Sequence, residues 1–118
     1  IGDRRAEALT RLILGDLSRR LERHAHAVVM FQSSAQISRE IKTDGELCMA
    51  LVGLAHTLAE AGDLAGARQQ LAEAESFDLQ VSDYRARRWS TRAAVLQRCG
   101  EPEGAKEALA HAAAERGN

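Results

Sequence analysis

Residues 61–77, AGDLAGARQQLAEAESF, and residues 99–115, CGEPEGAKEALAHAAAE, carry the same pattern 38 positions apart. Each begins with a small residue, glycine and an acidic residue, then places alanine, a basic residue, leucine and alanine at the same offsets. Self-similarity at a period of tens of residues is typical of repeat proteins. The pair therefore predicts an array of helical units that pack on one another.

The composition favours one all-α domain. The 118 residues are 45% hydrophobic and 28% charged, which is ordinary globular usage. A single proline, 3% aromatic residues and abundant alanine favour helices over strands. A net charge of −1 gives no general attraction to nucleic acid or membranes, and no apolar run reaches the roughly 18 residues of a membrane span. The distant Cys48 and Cys99 argue against a disulfide framework and favour the cytoplasm.

Apolar residues at three- and four-residue intervals predict six helices. The helices are expected at residues 4–21, from 24 to about 39, 44–62, 63–77, 82–100 and from 101 onward. Their starts are marked by a capping box of Thr43 and Glu46, by Asp63, by Ser82 or Asp83, and by Pro102. Short loops between long helices predict antiparallel neighbours, so the six helices form three hairpins.

Aligning the hairpins produces columns spaced by 40 and then 38 residues. Small residues recur where helices must approach closely, and large apolar residues recur where one hairpin packs on the next. The columns are Gly15, Ala55 and Ala93; Ala27, Ala67 and Ala105; Phe31, Leu71 and Leu109; and Ser34, Ala74 and Ala112. One hairpin cannot bury both of its apolar faces, so the stacked copies supply a core for each other.

These columns resemble the tetratricopeptide repeat. The middle copy matches its pattern through Leu51, Leu54, Ala55, Leu58, Gly62, Asp63, Ala67, Leu71 and Ala74. The last copy matches through Trp89, Ala93, Leu96, Gly100, Glu101, Ala105, Leu109 and Ala112, with Arg92 in place of a leucine. The first copy keeps Leu14, Gly15, Ala27, Phe31 and Ser34, and departs at Arg11, Ser18 and the turn ERH.

The resemblance implies a right-handed superhelical α-solenoid with repeats at about residues 4–42, 43–80 and 82–117 of a single domain, residues 1–118. The long period, against the usual 34 or so residues, is similar to arrays in bacterial multidomain transcriptional regulators and signal-transduction ATPases. The chain is therefore expected to be a piece of a larger cytoplasmic bacterial protein.

In such arrays the first helix of each hairpin lines a concave groove that holds a peptide or a partner helix. The resemblance places Leu9, Leu12, Ile13, Gly53, Ala59, Ser90, Ala94 and Gln97 on this surface. The residues expected to contact the partner are Asp16, Arg19, Arg20, Met49, Val52, His56, Glu60, Arg87, Thr91 and Arg98. The polar residues that clamp chaperone tails are missing at Gly53 and Ala94, which argues against that ligand. The alternative hypothesis is that some of the apolar groove residues pack against a neighbouring segment of the longer protein and bind no separate partner.

The most basic stretch is YRARRWSTRAAVLQR, residues 84–98. Arg85, Arg88 and Arg92 share one helical face and could contact phosphates. The alternative is structural, because arginine stems often cover apolar surface and Trp89 stands at the bulky core position of the repeat. The structural interpretation is favoured, and nucleic acid is not an expected partner.

The histidines and cysteines do not form a catalytic or metal-binding pattern. His24 and His26 are two residues apart and cannot share a helix face, and neither cysteine has a His or acid at helical spacing to complete a zinc site. No metal, cofactor or enzymatic activity is expected. The leading hypothesis is a non-catalytic protein-interaction scaffold. The alternative is a domain that senses a peptide or small effector for an attached DNA-binding or ATPase domain.

The two terminal hairpins are expected to leave apolar surface uncovered, because repeat arrays need polar capping elements. Leu9, Leu12 and Ile13 open the first helix, and Leu109 lies in the last one. The prediction is self-association through the terminal hairpins, with the same surface of two copies meeting across a two-fold axis.

Overall fold

The computed structural model describes residues 3–117, and every regular element in that part of the chain is a helix. The helices are α1 Arg4–Arg20, α2 His24–Glu40, α3 Asp44–Glu60, α4 Leu64–Glu75, α5 Ser82–Arg98 and α6 Pro102–Glu115. The predicted all-α class and the six helices are confirmed. None of these helices is long and apolar enough to cross a bilayer.

The helix starts follow local chemistry only in part. Asp63 caps α4 as predicted, because its carboxylate accepts a hydrogen bond from the Gly66 N–H at 2.9 Å. Pro102 occupies the first turn of α6, also as predicted. The cap predicted at Ser82 or Asp83 is wrong, since Val81 is the N-cap residue of α5 and its side chain makes no capping hydrogen bond.

The predicted capping box at the start of α3 is also wrong. The Thr43 hydroxyl turns back and donates to the Ser38 carbonyl at 3.5 Å. The Glu46 carboxylate accepts two hydrogen bonds from the Arg5 guanidinium, at 2.7 and 3.1 Å. A charged partner on α1 therefore holds the carboxylate that the local pattern assigned to a backbone N–H.

The three hairpin turns are built alike. Each has a residue with positive φ, namely Gly62 at 93°, Gly100 at 77° and Glu22 at 60°. In each turn the next N–H donates to the carbonyl five residues earlier, at 2.8 Å from Arg23, 2.8 Å from Asp63 and 2.9 Å from Glu101. This is the closing hydrogen bond of a glycine-terminated helix. The first hairpin therefore adopts the turn of the others although its sequence, ERH, lacks the glycine.

The hairpins α1–α2, α3–α4 and α5–α6 stack in chain order, with α3 in contact with α1, α2, α4 and α5. The assembly measures 48 × 30 × 22 Å. Because α3 is enclosed by its neighbours, residues on all its sides are buried, from the groove-facing Met49 and Val52 to the opposite Ala50 and Leu54. The central hairpin thus supplies more of the core than either of the other two.

The columns of the repeat occupy the predicted helix contacts. Ala27, Ala67 and Ala105 are 0, 0 and 3% exposed, which fits their assignment to close crossings. Phe31 and Leu71 are buried as the large apolar members, but Leu109 in the same column is 56% exposed. No helix of residues 3–117 packs beyond α6, so Leu109 has no following hairpin to contact.

Candidate functional site

The first helices of the three hairpins form a concave groove. Because α3 contacts both α1 and α5, the three helices lie side by side and expose one shared face. The main depression in this face has a volume of about 310 Å³. It is lined by Leu12, Ile13, Asp16, Arg19, Phe31, Met49, Val52, Gly53, His56, Arg87, Ser90, Thr91 and Arg116.

The floor of the groove is apolar and is organised around Phe31. Its ring comes from α2 and reaches between α1 and α3 at Gly15 and Gly53, so that only 1% of the residue is exposed. A Cβ added at Gly15 would lie 2.9 Å from the ring, and one added at Gly53 would overlap it. The two glycines therefore create the slot that brings a second-helix side chain to the groove floor.

The wall formed by α1 carries a network of charges around Asp16. Its carboxylate lies 3.3 Å from the Arg19 guanidinium and 3.2 Å from that of Arg20. Arg19 also reaches Glu60 on α3, at 3.4 Å. Arg87 approaches from α5 and lies 3.9 Å from the same Asp16 carboxylate, across the groove. Arg87 is 52% exposed in its side chain, so its guanidinium stays available to an incoming anion.

A second depression of about 300 Å³ adjoins the first at Arg19. It is lined by Arg19, Arg20, Glu22, His24, Glu60 and Arg98. Arg98 at the end of α5 makes no ion pair with any of residues 3–117. The concave surface therefore carries more arginine than acid, and its positive charge is strongest along the edges.

His56 lies between these two depressions. Its Nε2 is 3.6 Å from Glu60, whose other carboxylate oxygen is buried without a hydrogen-bond partner in residues 3–117. Burial lowers the pKa of His56, and the charge of Arg19 lowers that pKa further, against the opposing effect of Glu60. His56 is therefore held neutral near pH 7 and can accept or donate a hydrogen bond to a ligand.

All ten residues predicted to contact a partner lie on this surface. Seven line the main depression: Asp16, Arg19, Met49, Val52, His56, Arg87 and Thr91. The other three, Arg20, Glu60 and Arg98, line the adjoining one with Arg19. Of the additional groove positions, Leu12, Ile13, Gly53 and Ser90 line the main depression, whereas Leu9, Ala59, Ala94 and Gln97 do not. Whether this surface binds a ligand stays a prediction.

Two residues that line the main depression were missed. Phe31 was assigned to the packing column, and the signal that it also reaches the groove was the pair of glycines opposite it. Arg116 follows α6 and donates to Ser90 at 3.2 Å, so it enters the groove from the last hairpin. No local pattern links Arg116 to the first helices, because the fold brings them together from positions 26 residues apart.

The basic stretch of α5 is used inside the fold. Arg88 donates to the carbonyls of Ala74 and Phe77, each at 2.8 Å, and so closes the end of α4. Arg92 binds Glu75 through two hydrogen bonds, at 2.9 and 3.1 Å. Arg85 pairs with Glu115 at 2.7 Å. These guanidiniums join α5 to its neighbours, which supports the structural interpretation of the stripe.

Trp89 is a boundary residue rather than a fully buried one. It packs against the cluster of Ala93, Leu96, Ala105 and Ala108 while part of its ring remains accessible. His111 stacks on it, with ring centroids 4.2 Å apart and an angle of 16°. The expectation that Trp89 belongs to the core is therefore only half right.

Metal-ligating residues do not converge in the described chain. Among residues 3–117 there is no group of three or more His, Cys, Asp and Glu side chains arranged to hold a metal ion. Both cysteines are free, with Cys48 buried and Cys99 half-buried. Comparison of the chain with protein-family models, with curated proteins and with solved structures gives no significant match.

Proposed function

We propose that this chain is a non-catalytic protein-interaction domain of the tetratricopeptide type, which binds a peptide or a partner helix in the concave groove. The observation that carries the proposal is the convergence of α1, α3 and α5 on one apolar floor with charged edges. An apolar centre with a polar rim is the usual anatomy of a surface that binds another protein. Because its repeat period resembles that of arrays in bacterial regulators, we propose that the domain is part of a cytoplasmic bacterial regulator.

The charges indicate what kind of segment fits. In the main depression, three arginines, Arg19, Arg87 and Arg116, face a single acid, Asp16. Complementary charge fixes the register of a ligand and raises its association rate. The ligand we propose therefore combines an acidic residue, held between Arg87 and Arg116, with an apolar side chain that covers the Phe31 floor.

A non-catalytic role is supported by the placement of the reactive groups. Ser18 and His26 form a short hydrogen bond of 2.7 Å, an arrangement that activates serine in some hydrolases. However, Ser18 is only 6% exposed and does not line either groove depression. In the main depression His56 is accompanied by Ser90 and Thr91, but neither hydroxyl hydrogen-bonds to it.

A second candidate function is recognition of a small effector. It is favoured by the size of the main depression, about 310 Å³, which lies at the lower end of small-ligand pockets. Under this hypothesis the groove would be the sensor of an attached DNA-binding or ATPase domain. The two candidates differ in how far the ligand extends, because a peptide contacts both depressions and a small effector only one.

Selection of peptides that bind this protein from a displayed random library tests the proposal. Selected peptides should contain acidic and apolar residues, and fluorescence polarisation should show that Arg87→Glu weakens their binding by about tenfold or more. Arg39→Glu is the matched control, since Arg39 is a similarly exposed arginine that pairs with Glu73 away from the groove.

Three results would contradict the proposal: no selected peptide, equal losses in both variants, or a loss in Arg39→Glu alone. Arg98→Glu separates the two candidate functions. It should weaken an extended peptide that reaches the adjoining depression, and it should leave a ligand confined to the main depression unaffected.

A further inference from the structure

Two apolar faces at opposite ends of the stack have no partner within residues 3–117. Leu14 and Leu17 on α1 and Leu21 at its C-cap form a stripe at helical spacing and are 41, 51 and 58% exposed. On α6, Leu109 is 56% exposed. Exposed apolar side chains that follow one helix face in this way mark interaction surfaces. Below, these are the α1 face (Leu14, Leu17, Leu21) and the α6 face (Leu109 with Ala110 and Ala113).

The repeat register shows what each face is built to contact. Leu109 is the counterpart of Leu71, and Leu17 is the counterpart of Val95, at the spacing of the hairpin columns. At the junction of α4 with α5, Leu71 and Val95 belong to one buried cluster and are 3 and 1% exposed. The α6 face thus repeats one side of this junction, and the α1 face repeats the other side.

A second pair of columns leads to the same match. Within the chain, Arg92 of α5 binds Glu75 of α4 at 2.9 Å across the junction. The counterparts of this pair at the ends are Leu14 and Ala113. At the junction of α2 with α3 the same positions are Leu54 and Ala35, which border one depression. The positions of this ion pair are therefore apolar at the two ends, as they are at the junction of α2 with α3.

We propose that the α6 face of one copy binds the α1 face of a second copy, in the arrangement in which α4 packs on α5. The two faces are complementary to each other, because their counterparts on α4 and α5 pack together inside the chain. Nowhere in residues 3–117 does the counterpart of either face pack against a second copy of the same face. This differs from the two-fold contact expected from the sequence. A head-to-tail contact of this kind is heterologous, so each pair of bound copies leaves one α1 face and one α6 face free, to which further copies can bind.

One pair of like charges opposes the contact, and changing it should change the strength of association. Arg68 forms an ion pair with Glu101 inside the chain. The counterparts of these residues at the ends are Lys106 and Arg23, two cations. Because these two charges lie at the surface, salt screens their repulsion, and association should strengthen as salt is added. Replacement of Arg23 by glutamate should strengthen it further, because an ion pair with Lys106 then becomes possible.

Sedimentation velocity of the chain over a wide concentration range tests the proposal. The average mass of the wild-type protein should rise steadily with concentration. Leu17→Glu and Leu109→Glu should each be monomeric, since each variant has lost one of the two faces. A mixture of the two should form a one-to-one dimer that does not grow, because the intact α6 face of Leu17→Glu meets the intact α1 face of Leu109→Glu.

Val29→Glu is the control for introducing a charge at an exposed apolar site. Val29 is 55% exposed and is the counterpart of Gln69 and Glu107, so it lies on neither face. It should behave like the wild type, and circular dichroism should show the same helix content for all variants. A wild-type chain that stays monomeric, or that stops at a dimer abolished by only one of the two variants, would overturn the proposal. So would a mixture that fails to form the dimer.

Discussion

Equivalent leucines of two hairpins lie in different environments, one at the α4–α5 junction and the other on the outer face of α6. Leu71 and Leu109 stand at equivalent positions of their hairpins, on helices with the same alanine spacing. Leu71 is 3% exposed within the cluster that includes Val95, whereas Leu109 is 56% exposed. The difference teaches that burial in this fold depends on whether another hairpin packs against the position, and that the residue type alone does not decide it.

Truncation of the two leucines should give the largest contrast. Leu71→Ala should lower the free energy of unfolding by about 2–5 kcal/mol, because it leaves a cavity between α4 and α5. Leu109→Ala should change it by less than about 0.5 kcal/mol at low protein concentration. Urea unfolding followed by circular dichroism measures both. Equal losses would show that α6 is covered in the monomer and would break the comparison.

Enlargement of a buried alanine should have the next largest effect. Ala67 is fully buried where α4 crosses α3, so Ala67→Leu should overpack the hairpin and cost about 1–3 kcal/mol. Gln69 is exposed on the same helix, and Gln69→Leu should stay within about 0.5 kcal/mol. The same unfolding measurement applies. If both positions tolerated leucine equally, the register of the columns would be wrong.

The two helical glycines Gly53 and Gly104 allow a tightly packed position at the groove floor to be compared with a looser one on α6. Both should gain up to about 1 kcal/mol of helix propensity on replacement by alanine. In Gly53→Ala the new methyl would overlap the Phe31 ring, so a net loss of about 1–3 kcal/mol is expected. In Gly104→Ala the nearest atom is the flexible end of Leu96, 3.2 Å away, and the change should be neutral or stabilising. A stabilised Gly53→Ala would mean that Phe31 does not fill the slot.

The pH dependence of His56 should give the smallest effect. Its pKa in the folded protein lies below the ordinary value of 6.5, because burial and the charges of Arg19 and Arg98 lower it by more than Glu60 and Asp16 raise it. As the pH falls through 6.5, the unfolded chain takes up a proton first. The wild type should therefore lose stability relative to His56→Gln below this pH, until the folded histidine is also protonated. Unfolding at several pH values checks this, and a difference that grows in favour of the wild type would contradict it.

The sequence predicted the elements because their signals are local. Apolar periodicity, the cap at Asp63, the start at Pro102 and the glycine ends fixed most helix boundaries to within two residues. The repeat columns then predicted which small residues are buried, including Ala67 and Ala105. The groove residues were placed by the resemblance to the tetratricopeptide repeat, in the same register.

The failures concern side chains with partners elsewhere in the chain. Glu46 binds Arg5 instead of capping its own helix, and Phe31 reaches the groove through a slot between two other helices. The structural interpretation of the basic stripe was favoured, but the sequence did not show that Arg88 closes the end of α4. In each case the sequence shows only the neighbours along the chain, whereas the actual contact joins side chains that folding brings together from distant positions.

By itself the sequence determined six helices, their pairing into hairpins and the repeat that stacks them, because periodicity and helix caps act over a few residues. Only the tertiary structure decided which equivalent positions are buried, which arginines are already paired, and which leucines of residues 3–117 stay exposed. The physical reason is that burial and ion pairing depend on what the neighbouring hairpin supplies. Leu71 and Leu109 share their place in the repeat, but within residues 3–117 only Leu71 has a hairpin packed against it.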